Sequence, residues 1–217
     1  MEFDYFCGMK PQEVILIGAG GHALSLAEFA GDNIIGYLSK EKNDLMPGKW
    51  LGTDDEMNRW IQEGKPFHVA YVYSGLPRMN VRKKIIERYE KEGAKFESLI
   101  SPSAIVTPRS VIEEGSALMT GCIVNRAHIG RNVIVNSGAI VEHDCRIGDN
   151  SFIGPGAVIG GFTTVGENCF IGLGARIGNG LKIGPDITVA MGAVVSKDLT
   201  EPGIYHGTPL RLFKCKN

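Results

Sequence analysis

From Ile105 to Val195 an aliphatic residue or alanine stands at every sixth position, through Ile105, Val111, Ala117, Ile123, Ile129, Val135, Val141, Ile147, Ile153, Ile159, Val165, Ile171, Ile177, Ile183, Val189 and Val195. Neither the 3.6-residue period of a helix nor the two-residue period of a strand yields this recurrence. A β-solenoid with three flat sides and one inward side chain per side does, and three such hexads close one turn of about 18 residues. Two positions earlier the residue is usually small or narrow (Ser103, Ala127, Ala139, Cys145, Ser151, Ala157, Thr163, Cys169), as a crowded corner requires. Glycine often follows the aliphatic residue, as at Gly148, Gly154, Gly160, Gly166 and Gly172, where a turn can use backbone conformations costly to other residues.

Before residue 100 the pattern changes. Glu13–Ile17 reads as a strand that runs into Gly18-Ala19-Gly20-Gly21-His22, with a helix over Ala23–Phe29 behind it. Further strands are predicted at Asn33–Leu38 and His68–Tyr73, and a helix with an apolar stripe (Val81, Ile85, Ile86, Tyr89) over Arg78–Glu92. Alternating strands and helices favour a parallel sheet. The chain therefore divides into a small Rossmann-like α/β unit, residues 1–100, and a β-solenoid with a C-terminal cap, residues 101–217. Beyond Val195, through Pro202 and Pro209, the register is lost and the chain is expected to cross or cover the end of the coil. Tyr71 and Tyr73 are expected to pack on the sheet.

Composition narrows the partners. With 23 basic and 24 acidic residues and 43% hydrophobic content, the chain has a real core but no broad attraction for nucleic acid or an anionic membrane. The apolar run Val14–Ala19 is too short to span a bilayer, so no membrane insertion and a cytoplasmic location are expected. Five cysteines without a CxxC pair read as free thiols, and of the five histidines only His128 and His143 lie within the regular coil, in different hexad phases, which argues against a metal site.

Two places carry candidate chemistry. Gly18-x-Gly20-Gly21, at a strand-to-helix turn, presents backbone amides that suit phosphate oxygens, although a purely structural turn fits the same residues. Near the end of the second strand stand Leu38, Ser39 and Lys40 rather than the acidic residue that holds a ribose in NAD-binding units. The second place is Glu142-His143-Asp144. His143 lies two residues beyond inward Val141 and so points out of the core, where an imidazole can take a proton near neutral pH with a neighbouring carboxylate to orient it. Asp144 is adjacent and is taken as the partner, and Glu142, equally adjacent, is an alternative. A noncatalytic scaffold is the competing reading of the triplet.

The whole chain resembles acyltransferases of bacterial surface-sugar biosynthesis, especially nucleotide-linked 4-amino-sugar N-acetyltransferases and the related sialic acid O-acetyltransferases. The resemblance rests on Ile17–Ala23, Leu51-Gly52-Thr53, Ser98–Ala104, His143-Asp144-Cys145 followed by Ile147-Gly148-Asp149, Gly192–Val195 and Gly207–Arg211. It implies a left-handed parallel β-helix that assembles as a homotrimer, with acetyl-CoA as cosubstrate in grooves between neighbouring coils. It further implies His143 as general base assisted by Asp144, Gly161 as backbone donor to the thioester oxygen, and Phe152, Ala190 and Met191 on the donor surface. Gly20, Gly21, His22, Ser39 and Lys40 are implied as contacts to a nucleotide-linked amino sugar. Phe152 stands where many such enzymes have a second histidine, and Ser39 and Lys40 where relatives commonly place acidic residues. The alternative within the resemblance is transfer to a hydroxyl of sialic acid or another sugar.

Overall fold

The computed structural model describes residues 13–72, 76–207 and 211–213. Cys7, Tyr73, Cys215 and the Thr208-Pro209-Leu210 stretch singled out from the sequence lie outside them. The N-terminal unit contains β1 (Val14–Ile17), α1 (Gly21–Ala30), β2 (Ile34–Leu38), β3 (Lys49–Trp50), α2 (Met57–Gln62), β4 (Phe67–Val69) and α3 (Leu76–Lys91). The four strands form a parallel sheet in the order β3-β2-β1-β4. Neither β3 nor α2 was anticipated: β3 is two exposed residues long, and α2 buries only Met57. In β1 every residue is buried because both faces are covered, Ile15 and Ile17 on the side of Met57 and Tyr89, Val14 and Leu16 on the side of α1 and the coil.

The remainder is a left-handed parallel β-helix with three faces. The first face carries His128–Ile129, Arg146–Ile147, Thr164–Val165 and Lys182–Ile183, and the second Ile134–Val135, Phe152–Ile153, Phe170–Ile171 and Ile187–Val189. Ile140–Val141, Val158–Ile159, Arg176–Ile177 and Val194–Val195 form the third. Inward aliphatic residues fill the centre from Ile129 to Val195 in the expected register.

Earlier in the coil the register differs from the expected one. Ile105 and Val111 are 58% and 53% exposed, and Val106, Ile112, Leu118 and Val124 point inward instead. The strand pairs locate the slip: His128 lies opposite Val111, seventeen residues back, whereas Arg146 lies opposite His128, eighteen residues on. The corner between Val124 and Ile129 is one residue shorter than the rest. Each early hexad carries two adjacent apolar residues, so periodicity alone was satisfied by either one.

The glycines that follow the inward residues serve close approach rather than unusual dihedrals. A Cβ on Gly148 would lie 2.6 Å from the Glu167 amide nitrogen, and one on Gly172 would lie 2.5 Å from that of Met191, atoms of the next turn. Left-handed conformations sit instead at the corners in three columns: Arg126, Asp144, Phe162 and Gly180; Asn132, Asn150, Asn168 and Asp186; Gly138, Gly156, Gly174 and Gly192. Asparagine, aspartate and glycine tolerate that region best. At the far end Leu199 and Tyr205 join the coil core, and Gly203–His206 extends the second face.

The N-terminal unit covers this second face. Ala23, Leu26 and Ala27 of α1 pack in one cluster with Ala117, Ile134, Phe152 and Phe170 of the coil. From α3, fully buried Arg82 donates to the Asn132 carbonyl at 2.7 Å and to the Asn150 side chain, while Asn80 accepts from Asn168 at 2.8 Å. The corner between the first and second faces is thereby tied to α3. Cys122, Cys145 and Cys169 are free and buried at narrow corner positions, and burial pushes the Cys145 thiol up to about 11.

Candidate active site at a coil corner

His143 lies at the corner that leads from the third face to the first. Its Nδ1 stands 3.0 Å from Oδ2 of Asp144, which also accepts from the Arg126 guanidinium one coil turn earlier. Arg126, and then His143, hold the Asp144 carboxyl below the usual carboxylate range. An ionised Asp144 can only accept, so Nδ1 carries the proton and the lone pair is left on Nε2. Glu142 takes no part in this pair; it accepts from the Asn125 side chain at 3.2 Å.

One turn onward Gly161 faces that lone pair. A Cβ at Gly161 would lie 2.8 Å from His143 Nε2, so only glycine leaves room for the ring in its present place. The amides on either side are used, Gly160 toward the Ile177 carbonyl at 2.9 Å and Phe162 toward the His143 carbonyl at 2.9 Å. The Gly161 amide itself has no partner within the described residues, which leaves a free donor beside a free acceptor. The Phe162 ring meets the imidazole edge to face, with centroids 5.0 Å apart and planes at 90°. His143 is 44% exposed, open enough to meet a ligand.

The other residues predicted for the donor do not gather around His143 within one chain. Phe152 belongs to the second face, is only 4% exposed, and stacks on Phe170 with centroids 4.8 Å apart. Its ring joins α1 to the coil, so at most an edge of it is open to a donor. Ala190 and Met191 follow Ile187–Val189, at the corner between the second and third faces. Met191 is 74% exposed there, with Leu173 one turn below it.

At the glycine turn, Gly20 caps α1 and Gly18, at φ 109°, passes close to the Tyr71 ring. A Cβ on Gly20 or Gly21 would meet nothing within 4 Å, so the chain leaves open space beside these amides. His22 turns inward from this opening. Its Nε2 is buried without a hydrogen-bond partner, and burial, with His68 and Arg82 nearby, lowers the imidazole to about 3. Burial lowers His68 to about 4 as well, against its hydrogen bond to the Glu97 carbonyl at 2.9 Å. Ser39 is also buried, its hydroxyl donated to the Glu41 carbonyl at 2.5 Å, while Lys40 is exposed. Asn43, not anticipated from sequence, ties this second loop to the glycine turn by donating to the Ala19 carbonyl at 2.7 Å.

The two buried imidazoles predict acid lability. Both accept protons near 6.5 when the chain unfolds but only at about 3 and 4 when folded, so stability is complete above pH 6.5 and is lost as pH falls toward those values. Each group removes roughly 1.4 kcal/mol per pH unit below its unfolded pKa. Thermal melts should show a steady fall in melting temperature between pH 6.5 and 5; a flat profile over that range would show that the two rings are protonated in the fold.

Among the described residues no three His, Cys, Asp or Glu side chains form a group able to hold a metal ion, and no helix is long and apolar enough to cross a membrane. Residues 126–161 match the family model for bacterial transferase hexapeptide repeats, and residues 162–197 match that for the hexapeptide repeat of succinyl-transferase. A histidine-to-asparagine mutant of perosamine N-acetyltransferase from Caulobacter crescentus, solved with CoA and GDP-perosamine, is 30% identical over 92% of this chain and 96% of its own, with a TM-score of 0.84. The acetyltransferase domain of PglB from Neisseria gonorrhoeae, solved with acetyl coenzyme A, is 30% identical over 93% of this chain and 100% of its own, with a TM-score of 0.83. The chain belongs to the bacterial nucleotide-sugar N-acetyltransferase family with hexapeptide repeats. It is an acetyl-CoA-dependent acetyltransferase.

Proposed function

We propose that this enzyme transfers acetyl from acetyl-CoA to the 4-amino group of a nucleotide-linked deoxyamino sugar, with His143 as general base and Asp144 as the carboxylate that orients it. The observation that carries the reading is the pairing of a free Nε2 lone pair with a free Gly161 amide at one corner. The sugar nitrogen attacks the thioester carbonyl carbon and forms the C–N bond, and its proton passes to Nε2. Negative charge develops on the former carbonyl oxygen, where the Gly161 N–H stabilises it without changing protonation state. Collapse breaks the C–S bond, and the imidazolium returns its proton to the leaving thiolate. The Caulobacter enzyme solved with both CoA and GDP-perosamine supports this choice of donor and acceptor.

The acceptor's phosphates are assigned to the open amides of Gly20 and Gly21, with exposed Lys40 nearby as a countercharge. His22 and Ser39 shape these loops from within, and residues 1–100 form the acceptor-holding unit in front of the transfer unit, 101–217. This arrangement favours a homotrimer. The N-terminal unit covers the second face, whereas His143 stands at the corner opposite that face, and Ala190 and Met191 stand at a third place. Apposed corners of neighbouring chains would bring base and donor surface together, and three copies close the assembly. A cytoplasmic location is part of the same proposal.

The test is acetyl transfer to a panel of 4-amino sugars carried on GDP, UDP and dTDP, with free CoA and product mass both recorded. One member is expected to gain a single acetyl group; turnover confined to sialic acid or another hydroxyl acceptor would replace this reading. Sedimentation should give the mass of three chains, and a fully active monomer would contradict the shared site.

A further inference from the structure

Seven non-glycine residues among those described hold a positive φ, and six of them are arginine, asparagine or aspartate. The seventh is Phe162, at φ 61°. A bulky side chain is poorly suited to that region, and one turn onward in the same column the chain uses Gly180. Packing within the chain does not compensate for the conformation, since Phe162 is 64% exposed on the single chain. The ring touches the imidazole of His143 edge to face, and the Phe162 amide donates to the carbonyl of the same histidine. Backbone strain retained without a packing return inside the coil, beside a reactive group, points to function.

We propose that Phe162 is a positioning residue for the acetyl transfer, its ring holding the His143 imidazole in the rotamer that presents Nε2 beside Gly161. The inference rests on the assignment of His143 as base. Asp144 fixes the ring through Nδ1 alone, a contact that leaves the imidazole free to swing about that hydrogen bond. The phenyl ring closes one side of that arc, and the bare Cα of Gly161 leaves the space in which Nε2 rests.

The experiment compares Phe162→Asn and Phe162→Tyr in the native and His143→Ala backgrounds, with kcat, KM for both substrates, melting temperature and assembly state recorded. Asparagine is at ease in the left-handed region, so Phe162→Asn should fold and assemble with an unchanged or raised melting temperature. Its kcat should fall about tenfold, the rate equivalent of an aromatic pair, with each KM within about twofold of the native value. Phe162→Tyr should keep native kcat, and in the His143→Ala background Phe162→Asn should cost nothing more. Native kcat for Phe162→Asn alongside an impaired His143→Ala enzyme would overturn the positioning role and leave the base intact. Additive losses, or a loss that tracks disassembly, would overturn it as well, and an unimpaired His143→Ala enzyme would remove the base and this role together.

Discussion

His143→Ala is expected to lower kcat by about 10²–10⁴-fold, the range that a positioned general base supplies. The fold should be unaffected, because the imidazole is half exposed and contributes nothing to the coil interior. Its partners are Asp144 and the Phe162 ring, and loss of these two surface contacts lowers stability by no more than about 2 kcal/mol. Steady-state kinetics with both substrates saturating, beside a thermal melt, checks the pair of expectations. A kcat within twofold of native would show that the amine loses its proton elsewhere.

Gly161→Ala should be nearly as damaging, for a different reason. Gly161 has no left-handed φ, so alanine fits its backbone without strain and the coil should assemble normally. The new methyl group, however, would stand 2.8 Å from His143 Nε2 and 2.9 Å from its Cε1, closer than real side chains approach. The ring has to rotate away, and a displacement of about 1 Å at a reacting group costs on the order of 10²-fold in rate. The expected outcome is a large fall in kcat at an unchanged melting temperature. A fully active variant would show that the imidazole does not occupy this position during turnover.

Much of this corner was open to inspection in the sequence, and its omissions share one cause. His143 sits between Glu142 and Asp144, so an adjacent carboxylate partner could be read directly, and the family resemblance favoured Asp144. Arg126 and Phe162 were missed because they lie eighteen residues to either side of Asp144, and only the stacking of coil turns brings them there. Counting one full turn in each direction would have found both. The same period fixed the inward residues from Ile129 onward but failed earlier, where Ile105-Val106 and Val111-Ile112 offer two apolar residues and a shortened corner decides between them. The burial of Phe152 was hidden for a related reason: its place on the coil was clear, but the α1 surface packed over it comes from a segment more than a hundred residues away. The inward turn of His22 likewise depends on β4 and α3, which no local pattern at the glycine turn reveals.

The central claim is that the corner around His143 delivers acetyl to nitrogen. The most direct test is to offer the enzyme a matched pair of nucleotide-linked sugars that differ only in a 4-amino or 4-hydroxyl group, and to follow CoA release. Release with the amine alone, together with an N-acetyl product by mass and NMR, is the predicted result; equal or faster release with the hydroxyl compound would contradict it.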